Sequence, residues 1–154
     1  MRTIFSIMLG GVALLLIATM PILAHHAFGG EFDANRPVLL KGTVTKVELV
    51  NPHAWIHIAA HDVTVAGEKK DLKGGTEDWA VEAGTPNTLL RRGITRDSLG
   101  GSPEVVVDGY QTRDHTLLRA NGRNITFPDG RKLFMGSSGT GAPRDGADTT
   151  EPPK

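Results

Sequence analysis

The chain has 154 residues, 22% charged and 39% hydrophobic, which is enough for one small folded domain and too short for a multidomain enzyme. Its 17 Lys and Arg residues balance 17 Asp and Glu residues, so no net charge attracts it to nucleic acid or to an anionic membrane surface. Because there is no cysteine, disulfides, thiol nucleophiles and thiolate metal ligands are excluded. Any partner is therefore recognised by a local group of residues rather than by net charge.

The first 24 residues have the pattern of a secretory signal. No charged side chain occurs between Arg2 and Ala24, and the most apolar stretch covers residues 12–18. Pro21 precedes the small residue Ala24, so we expect cleavage after Ala24 and a periplasmic protein. The alternative is an uncleaved anchor, because about 20 apolar residues can span a bilayer. In that case the protein meets the membrane only through this segment.

The remaining sequence divides into a folded domain and a tail. Residues 25–135 contain the β-branched and apolar runs that a hydrophobic core requires. Residues 136–154 consist of glycine, proline, alanine and polar or charged residues, and such a composition does not compensate for the entropy of ordering the chain. We therefore predict one domain over residues 25–135 and a disordered tail after it.

Three β-branched or apolar runs come first in the domain, at residues 37–51, 54–65 and 79–83. In the first run the apolar residues change parity after Val44, which predicts a β-bulge or bend. Gly42 lies inside the same run, where a glycine allows a strand to bend sharply, as a small barrel requires. The runs predict three strands, of which the first is long and bent.

A short helix and two or three further strands are predicted next. Thr85 and Pro86 are typical of an N-cap and a first helical turn, and Gly93 is typical of a helix end. A further turn is predicted at residues 95–99, and strands at residues 104–111, 124–127 and 131–135. This order predicts a mostly β protein with a small OB-like barrel, in which the helix lies between the third and fourth strands. A small sandwich or an open α+β sheet has the same order of elements.

Histidines at the new N-terminus form the first candidate site. Cleavage of the signal places the α-amine beside the imidazoles of His25 and His26, and nitrogen ligands favour copper among the divalent ions. His53 follows the break at Asn51-Pro52 and is the candidate for a third nitrogen, because a residue at a strand end can meet a terminus that folds back. We predict transition-metal binding, with copper preferred, through His25, His26 and His53. In the alternative interpretation, His25 and His26 are a solvated remnant of the cleavage site.

Two further histidines, His57 and His61, continue a four-residue spacing from His53 that on a helix forms a single stripe. The alternating and β-branched residues of this run favour a strand instead. On a strand, residues four apart lie about 13 Å apart, too far for two of them to bind one ion. We therefore expect His57 and His61 to be ordinary half-exposed residues.

A second hypothesis is a metal-free surface that binds another envelope protein or a small ligand. Its candidate residues are Asn51 and Trp55, which flank His53, and Arg91 at the predicted helix end; the pair Arg91-Arg92 is expected to be solvated. No catalytic spacing of carboxylates, nucleophile elbow or dinucleotide-binding loop is present in the sequence, so we predict a non-enzymatic protein. An enzyme that acts through a bound metal is the third hypothesis.

Several motifs resemble those of one uncharacterised family of small exported proteins of Gram-negative bacteria. The motifs are His25-His26-Ala27-Phe28, Asn51-Pro52-His53-Ala54-Trp55, Leu89-Leu90-Arg91-Arg92-Gly93 and Pro128-Asp129-Gly130. The resemblance covers nearly the whole mature domain and implies export and a small β-rich fold, but no particular reaction. It also implies that His25, His26 and His53 belong to the shared pattern, and that His57 and His61 do not.

Overall fold

The structure is a computed structural model that describes residues 28–137. The predicted signal segment, His25, His26 and most of the predicted tail lie outside the described residues. Within the described residues, seven strands form one sheet, and the helices are short. The mostly β class predicted from the sequence is confirmed. No helix in this part of the chain is long and apolar enough to cross a membrane.

The elements follow the predicted order, with additions that the apolar pattern does not show. They are α1 (Phe28–Glu31), β1 (Phe32–Glu48), β2 (Trp55–Val65), β3 (Glu68–Lys69), β4 (Glu77–Glu82), α2 (Pro86–Arg91), α3 (Arg96–Leu99), β5 (Glu104–Thr112), β6 (Arg119–Thr126) and β7 (Lys132–Phe134). Helix α1, the start of β1 and the two-residue β3 were not predicted. Strand β6 begins earlier than the predicted residue 124, because its first residues are polar or small and carry no β-branched signal.

Five of the strands pair in a ring. Strand β1 pairs with both β2 and β5, β2 pairs with β4, and β5 pairs with β6, all of them antiparallel. A parallel pairing of β4 with β6 completes the ring, and the short strands β3 and β7 are added to β2 and β6. Helices α2 and α3 lie between the third and fourth long strands, as the OB-like prediction requires. The ring distinguishes this fold from a two-sheet sandwich and from an open sheet.

The parity change predicted in β1 corresponds to a break in strand register. The β1–β2 register shifts between Val44 and Lys46, and Val47, on the opposite parity to Val44, packs against the core. A second shift occurs at Gly42. A Cβ atom on Gly42 would overlap the carbonyl oxygen of Ala59, so glycine is needed where the two backbones approach each other. At the glycine where a bend was predicted, the structure therefore shows a register shift and a close approach of β1 to β2.

The core is formed largely by alternate residues of the strands. Its largest fully buried side chains are Trp79, Leu40, Ile56, Ile58, Leu89, Ile94, Ile125 and Met135. Leu89 belongs to α2 and Ile94 follows it, so the helical connection contributes to the same hydrophobic cluster. Trp55, in contrast, is half-exposed. The two tryptophans therefore differ in role, since Trp79 fills the core and Trp55 lies at the surface.

Helix α2 begins where its sequence signals predict. The Thr85 side chain accepts a hydrogen bond from the backbone N–H of Thr88, and Pro86 occupies the first turn. Gly93 follows the helix with φ of 82°, in the left-handed region that glycine adopts readily. The local signals of the sequence were sufficient here because an N-cap and a C-terminal glycine act within a few residues.

The two arginines after this helix have different environments. Arg91 is exposed, as expected, but Arg92 is half-buried and is not part of a solvated pair. The Arg92 guanidinium donates hydrogen bonds to the carbonyl oxygens of Phe134, at 3.2 Å, and of Gly136, at 2.8 Å. It also lies 4.7 Å from the centre of the Phe134 ring. Arg92 therefore joins the helical connection to the last strand.

Candidate functional site

A surface cleft of about 640 Å³ lies where α1, the loop after β1 and the turn after β5 meet. Three of the site residues predicted from the sequence line it: Asn51, His53 and Trp55. The charged residues in its lining are Glu31, Glu82, Arg113, Asp114 and Arg119. Arg91 is exposed on α2 and is not among the lining residues. His25 and His26 lie outside the described residues. The structure thus brings together Asn51, His53 and Trp55 and separates Arg91 from them.

Helix α1 forms one wall of the cleft and is fixed to the sheet. Phe28 is buried, stacks on Phe32 with ring centroids 5.8 Å apart, and meets the edge of Tyr110 at 5.3 Å. The Nε atom of Arg113 donates a hydrogen bond to the carbonyl oxygen of Gly29 at 2.7 Å. Aromatic packing and a charge-assisted hydrogen bond both stabilise this short helix. The point at which the chain enters the described fold is therefore held beside the cleft.

A stacked pair of side chains forms another part of the cleft. The guanidinium carbon of Arg119 lies 4.7 Å from the ring centre of Trp55, and its Nη2 atom is 2.8 Å from Oε1 of Glu31. The planar guanidinium suits both the aromatic face and the carboxylate. One face of Trp55 is therefore covered by Arg119, and a ligand that stacks on that face has to displace it.

His53 follows a cis Asn51-Pro52 peptide bond in the loop between β1 and β2. Its Nδ1 atom lies 3.3 Å from the carbonyl oxygen of Ala83 and 3.5 Å from Oε1 of Glu82. Both contacts are favourable when Nδ1 carries the proton, and Nε2 then has the lone pair. Histidines that bind metals usually have this arrangement, with one ring nitrogen donating to a carbonyl or carboxylate and the other bound to the metal.

The histidines of β2 contact carboxylates and do not line the cleft. Nε2 of His57 lies 2.8 Å from Oε1 of Glu48, and Nε2 of His61 lies 3.7 Å from Oε2 of Glu104. The strand assignment of this run is confirmed, so these residues form no helical stripe. Within the part of the chain that the structure describes, no three His, Asp or Glu side chains are grouped to hold a metal. His53 is therefore not part of a three-ligand group of His, Asp or Glu within residues 28–137.

A comparison with known protein families matches residues 13–120 to DUF6152, a family of unknown function. The chain belongs to this family. The DUF6152 match includes every residue that lines the cleft, and it confirms the resemblance to an uncharacterised family. Membership of DUF6152 brings no evidence of catalysis with it. No curated protein and no solved structure matches the chain.

Sequence reasoning considered Glu82 only as one of several carboxylates without a catalytic spacing, and it missed Arg119; both lie within the DUF6152 match. Their positions follow from strand register, because Trp55 pairs with Glu82 and Ala80 pairs with Arg119. A parallel pairing of β4 with β6 cannot be read from either strand alone. One signal was available in the sequence, since Glu82 is a charged residue that directly follows the apolar Val81 in a predicted strand.

Acid is expected to destabilise this DUF6152 protein through its surface carboxylates. Hydrogen bonds from Lys46 and then His57 lower the pKa of Glu48, and a hydrogen bond from Lys41 lowers the pKa of Glu104. The pKa values of four aspartates are lowered as well: Asp33, Asp62, Asp114 and Asp129. Because a lowered folded-state pKa stabilises the fold above the unfolded value of about 4, this stability is lost as the pH falls through the folded pKa.

We therefore expect the Tm to be lower at about pH 3 than at about pH 6. Molar salt should reduce the difference, because these carboxylates are exposed and their ion pairs are screened. Thermal melts followed by circular dichroism at both pH values, with and without salt, measure the effect. An unchanged Tm between the two pH values would contradict the prediction.

Proposed function

We propose that this protein is a non-enzymatic, exported metal-binding domain that holds a transition-metal ion, copper by preference, at the cleft. His53 supplies one nitrogen. After signal cleavage, the α-amine of His25 and the imidazole of His25 or His26 supply the others. The observation that supports this most directly is the environment of His53, whose Nδ1 faces the Ala83 carbonyl and the Glu82 carboxylate while its ring lines an open cleft.

The length of chain between the predicted terminus and the fold is consistent with this proposal. Gly30 and Glu31, just after the anchored Phe28, line the same cleft as His53. His25 lies three residues before Phe28, and three residues span at most about 11 Å. To share an ion with His53, the terminus has to turn towards the cleft within this length. An anchored Phe28 also reduces the conformational entropy that such a chelate would lose.

The available ligands favour Cu(II) over Cu(I). The chain has no cysteine, and no methionine lines the cleft among the described residues. Soft thiolate and thioether ligands select Cu(I), whereas amine and imidazole nitrogens suit Cu(II), which also forms the most stable complexes of the divalent series. We therefore use Cu(II) as the first probe.

Replacing His53 tests the site with a matched control. We expect His53→Ala to weaken Cu(II) binding at least tenfold, about 1.4 kcal/mol, because one of three nitrogens is lost. His57→Ala removes a histidine that is paired with Glu48 outside the cleft, so its affinity should equal that of the unmodified protein. The measurement is a competitive titration on protein from the periplasm whose N-terminus is shown by mass spectrometry to be His25. Equal affinities of the unmodified and His53→Ala proteins, or equal losses in both variants, would refute the site.

A metal-free binding domain is the second candidate, and the size of the cleft favours it. A volume of about 640 Å³ exceeds what a single ion needs and lies within the range of small-molecule pockets, roughly 300–1,000 Å³. Asn51 and Trp55 then contact a small ligand or another envelope protein. Under this hypothesis the unmodified protein binds Cu(II) weakly, and His53→Ala does not change that affinity.

A further inference from the structure

We infer that Glu82 positions the imidazole of His53 for metal binding, an inference that rests on the metal site proposed above. Glu82 is the last residue of β4, and its Oε1 atom lies 3.5 Å from Nδ1 of His53. It is 8% exposed. A buried carboxylate is strongly destabilising unless it is paired, so a charge kept at this position needs partners. The imidazole N–H of His53 is one such partner, and it lies on the side of the cleft.

Backbone hydrogen bonds hold the end of β4 beside His53. The carbonyl oxygen of Ala83 and Oε1 of Glu82 both approach Nδ1, and both residues lie at the end of β4. The backbone N–H of Ala83 donates to the carbonyl of Ala54 at 2.8 Å, and the N–H of Ala54 donates to the carbonyl of Gly84 at 3.0 Å. Because Ala54 directly follows His53, these bonds hold the backbone at the end of β4 beside the backbone of His53.

The carbonyl and the carboxylate have different effects on the ring. Both favour the tautomer with the proton on Nδ1, which leaves the lone pair on Nε2. Of the two, only Glu82 has an ionisable group, and a carboxylate next to a ligating histidine raises the basicity of the opposite nitrogen. The carbonyl of Ala83 cannot be removed by substitution, but the charge of Glu82 can. Losing it should weaken metal binding without removing a ligand.

The pair formed by Glu48 and His57 provides a matched control. Oε1 of Glu48 lies 2.8 Å from Nε2 of His57, and neither residue lines the cleft. Glu48→Gln therefore removes a carboxylate from a histidine, as Glu82→Gln does, but from a histidine that does not line the cleft. A general effect of lost negative charge on copper binding would be the same in both variants.

Two measurements on these variants test the inference. In the metal-free protein, ¹⁵N NMR at about pH 8.5, well above the ordinary imidazole pKa, reports which nitrogen of His53 carries the proton. We expect the Nδ1–H form in the unmodified and Glu48→Gln proteins and a larger share of the Nε2–H form in Glu82→Gln. In the Cu(II) titration, Glu82→Gln should bind about tenfold more weakly and Glu48→Gln as tightly as the unmodified protein.

The two measurements fail independently. An unchanged His53 tautomer in Glu82→Gln overturns the inference, even where the unmodified protein binds copper. A changed tautomer in a protein that does not bind copper supports the positioning by Glu82 and refutes the metal site. If Glu82→Gln does not fold, Glu82→Asp replaces it. This variant keeps the carboxylate but moves it away from His53 by the length of one methylene group. The same NMR and titration measurements then apply, with the same expected directions.

Discussion

Adding four residues before His25 should weaken Cu(II) binding at least a hundredfold, which corresponds to about 2.8 kcal/mol. The added residues separate the α-amine from the His25 imidazole, so the terminal chelate is lost while the folded domain is unchanged. A single added alanine is unsuitable, because it places His26 third from a free amine. The amine, two amide nitrogens and that imidazole can then surround Cu(II) in the square-planar geometry it prefers. A four-residue extension with proline at its second position avoids this arrangement, because no histidine is then third from the amine and proline has no amide N–H to lose.

The matched control carries the same four residues after Lys154, and its affinity should equal that of the unmodified protein. A double variant adds a second check. If the amine and His53 bind the same ion, His53→Ala should have a smaller effect in the N-terminally extended protein than in the unmodified protein, because contributions to one site are not additive. Competitive titration measures all five proteins: the unmodified protein, the two extended forms, His53→Ala and the double variant. Equal affinities with and without the N-terminal extension would rule out the terminal chelate.

The fold was predictable where its signals are local. The change of parity after Val44 and the glycine at position 42 predicted a bent first strand, and Thr85 and Gly93 predicted the limits of a helix. These signals act through neighbours in the chain or in one hairpin. Strand β6 starts with polar and small residues that are buried by pairing with β4 and β5, so its beginning could not be found from its own sequence.

The same distinction explains which site residues were found. Asn51, His53 and Trp55 lie within five positions of one another, and one loop and strand start bring them to the cleft. Glu82 and Arg119 reach it through pairings of three different strands. A sequence shows which side chains are chemically suited to a site, but strand register decides which of them meet. The ligands proposed at His25 and His26 lie outside the strands, so strand register does not place them, and the copper titration tests them directly.

Gly42→Ala should destabilise the fold by about 3 kcal/mol or more. A Cβ atom at this position would overlap the carbonyl oxygen of Ala59 and lie 2.6 Å from Cα of Ala60. Both atoms belong to the backbone of β2, so no side-chain rotation relieves the clash, and the β1–β2 pairing has to shift. Because small domains have only about 5–15 kcal/mol of stability, this is a large fraction of the total. Urea unfolding measures the free energy of unfolding of the variant and of the unmodified protein.

The matched control is Gly29→Ala, because a Cβ on Gly29 would have no atom within 4 Å. Gly29 lies in α1, where alanine is the better helix former, so we expect its stability to be unchanged or to rise by up to about 1 kcal/mol. Equal stability of both variants would show that β1 and β2 do not approach closely at Gly42.

Gly109 has the same physical role on the other side of β1. A Cβ at Gly109 would overlap the carbonyl oxygen of Asn121, and the β5–β6 register shifts at this glycine, as the β1–β2 register shifts at Gly42. The glycine in each pair thus allows two backbones to approach where the pairing changes register and the strand bends. The β1–β5 pairing connects these two pairs, since β1 is hydrogen-bonded to both β2 and β5. A sheet has to bend in this way to close into a ring. The β4–β6 pairing that completes the ring brings Glu82 and Arg119 to the same cleft as His53.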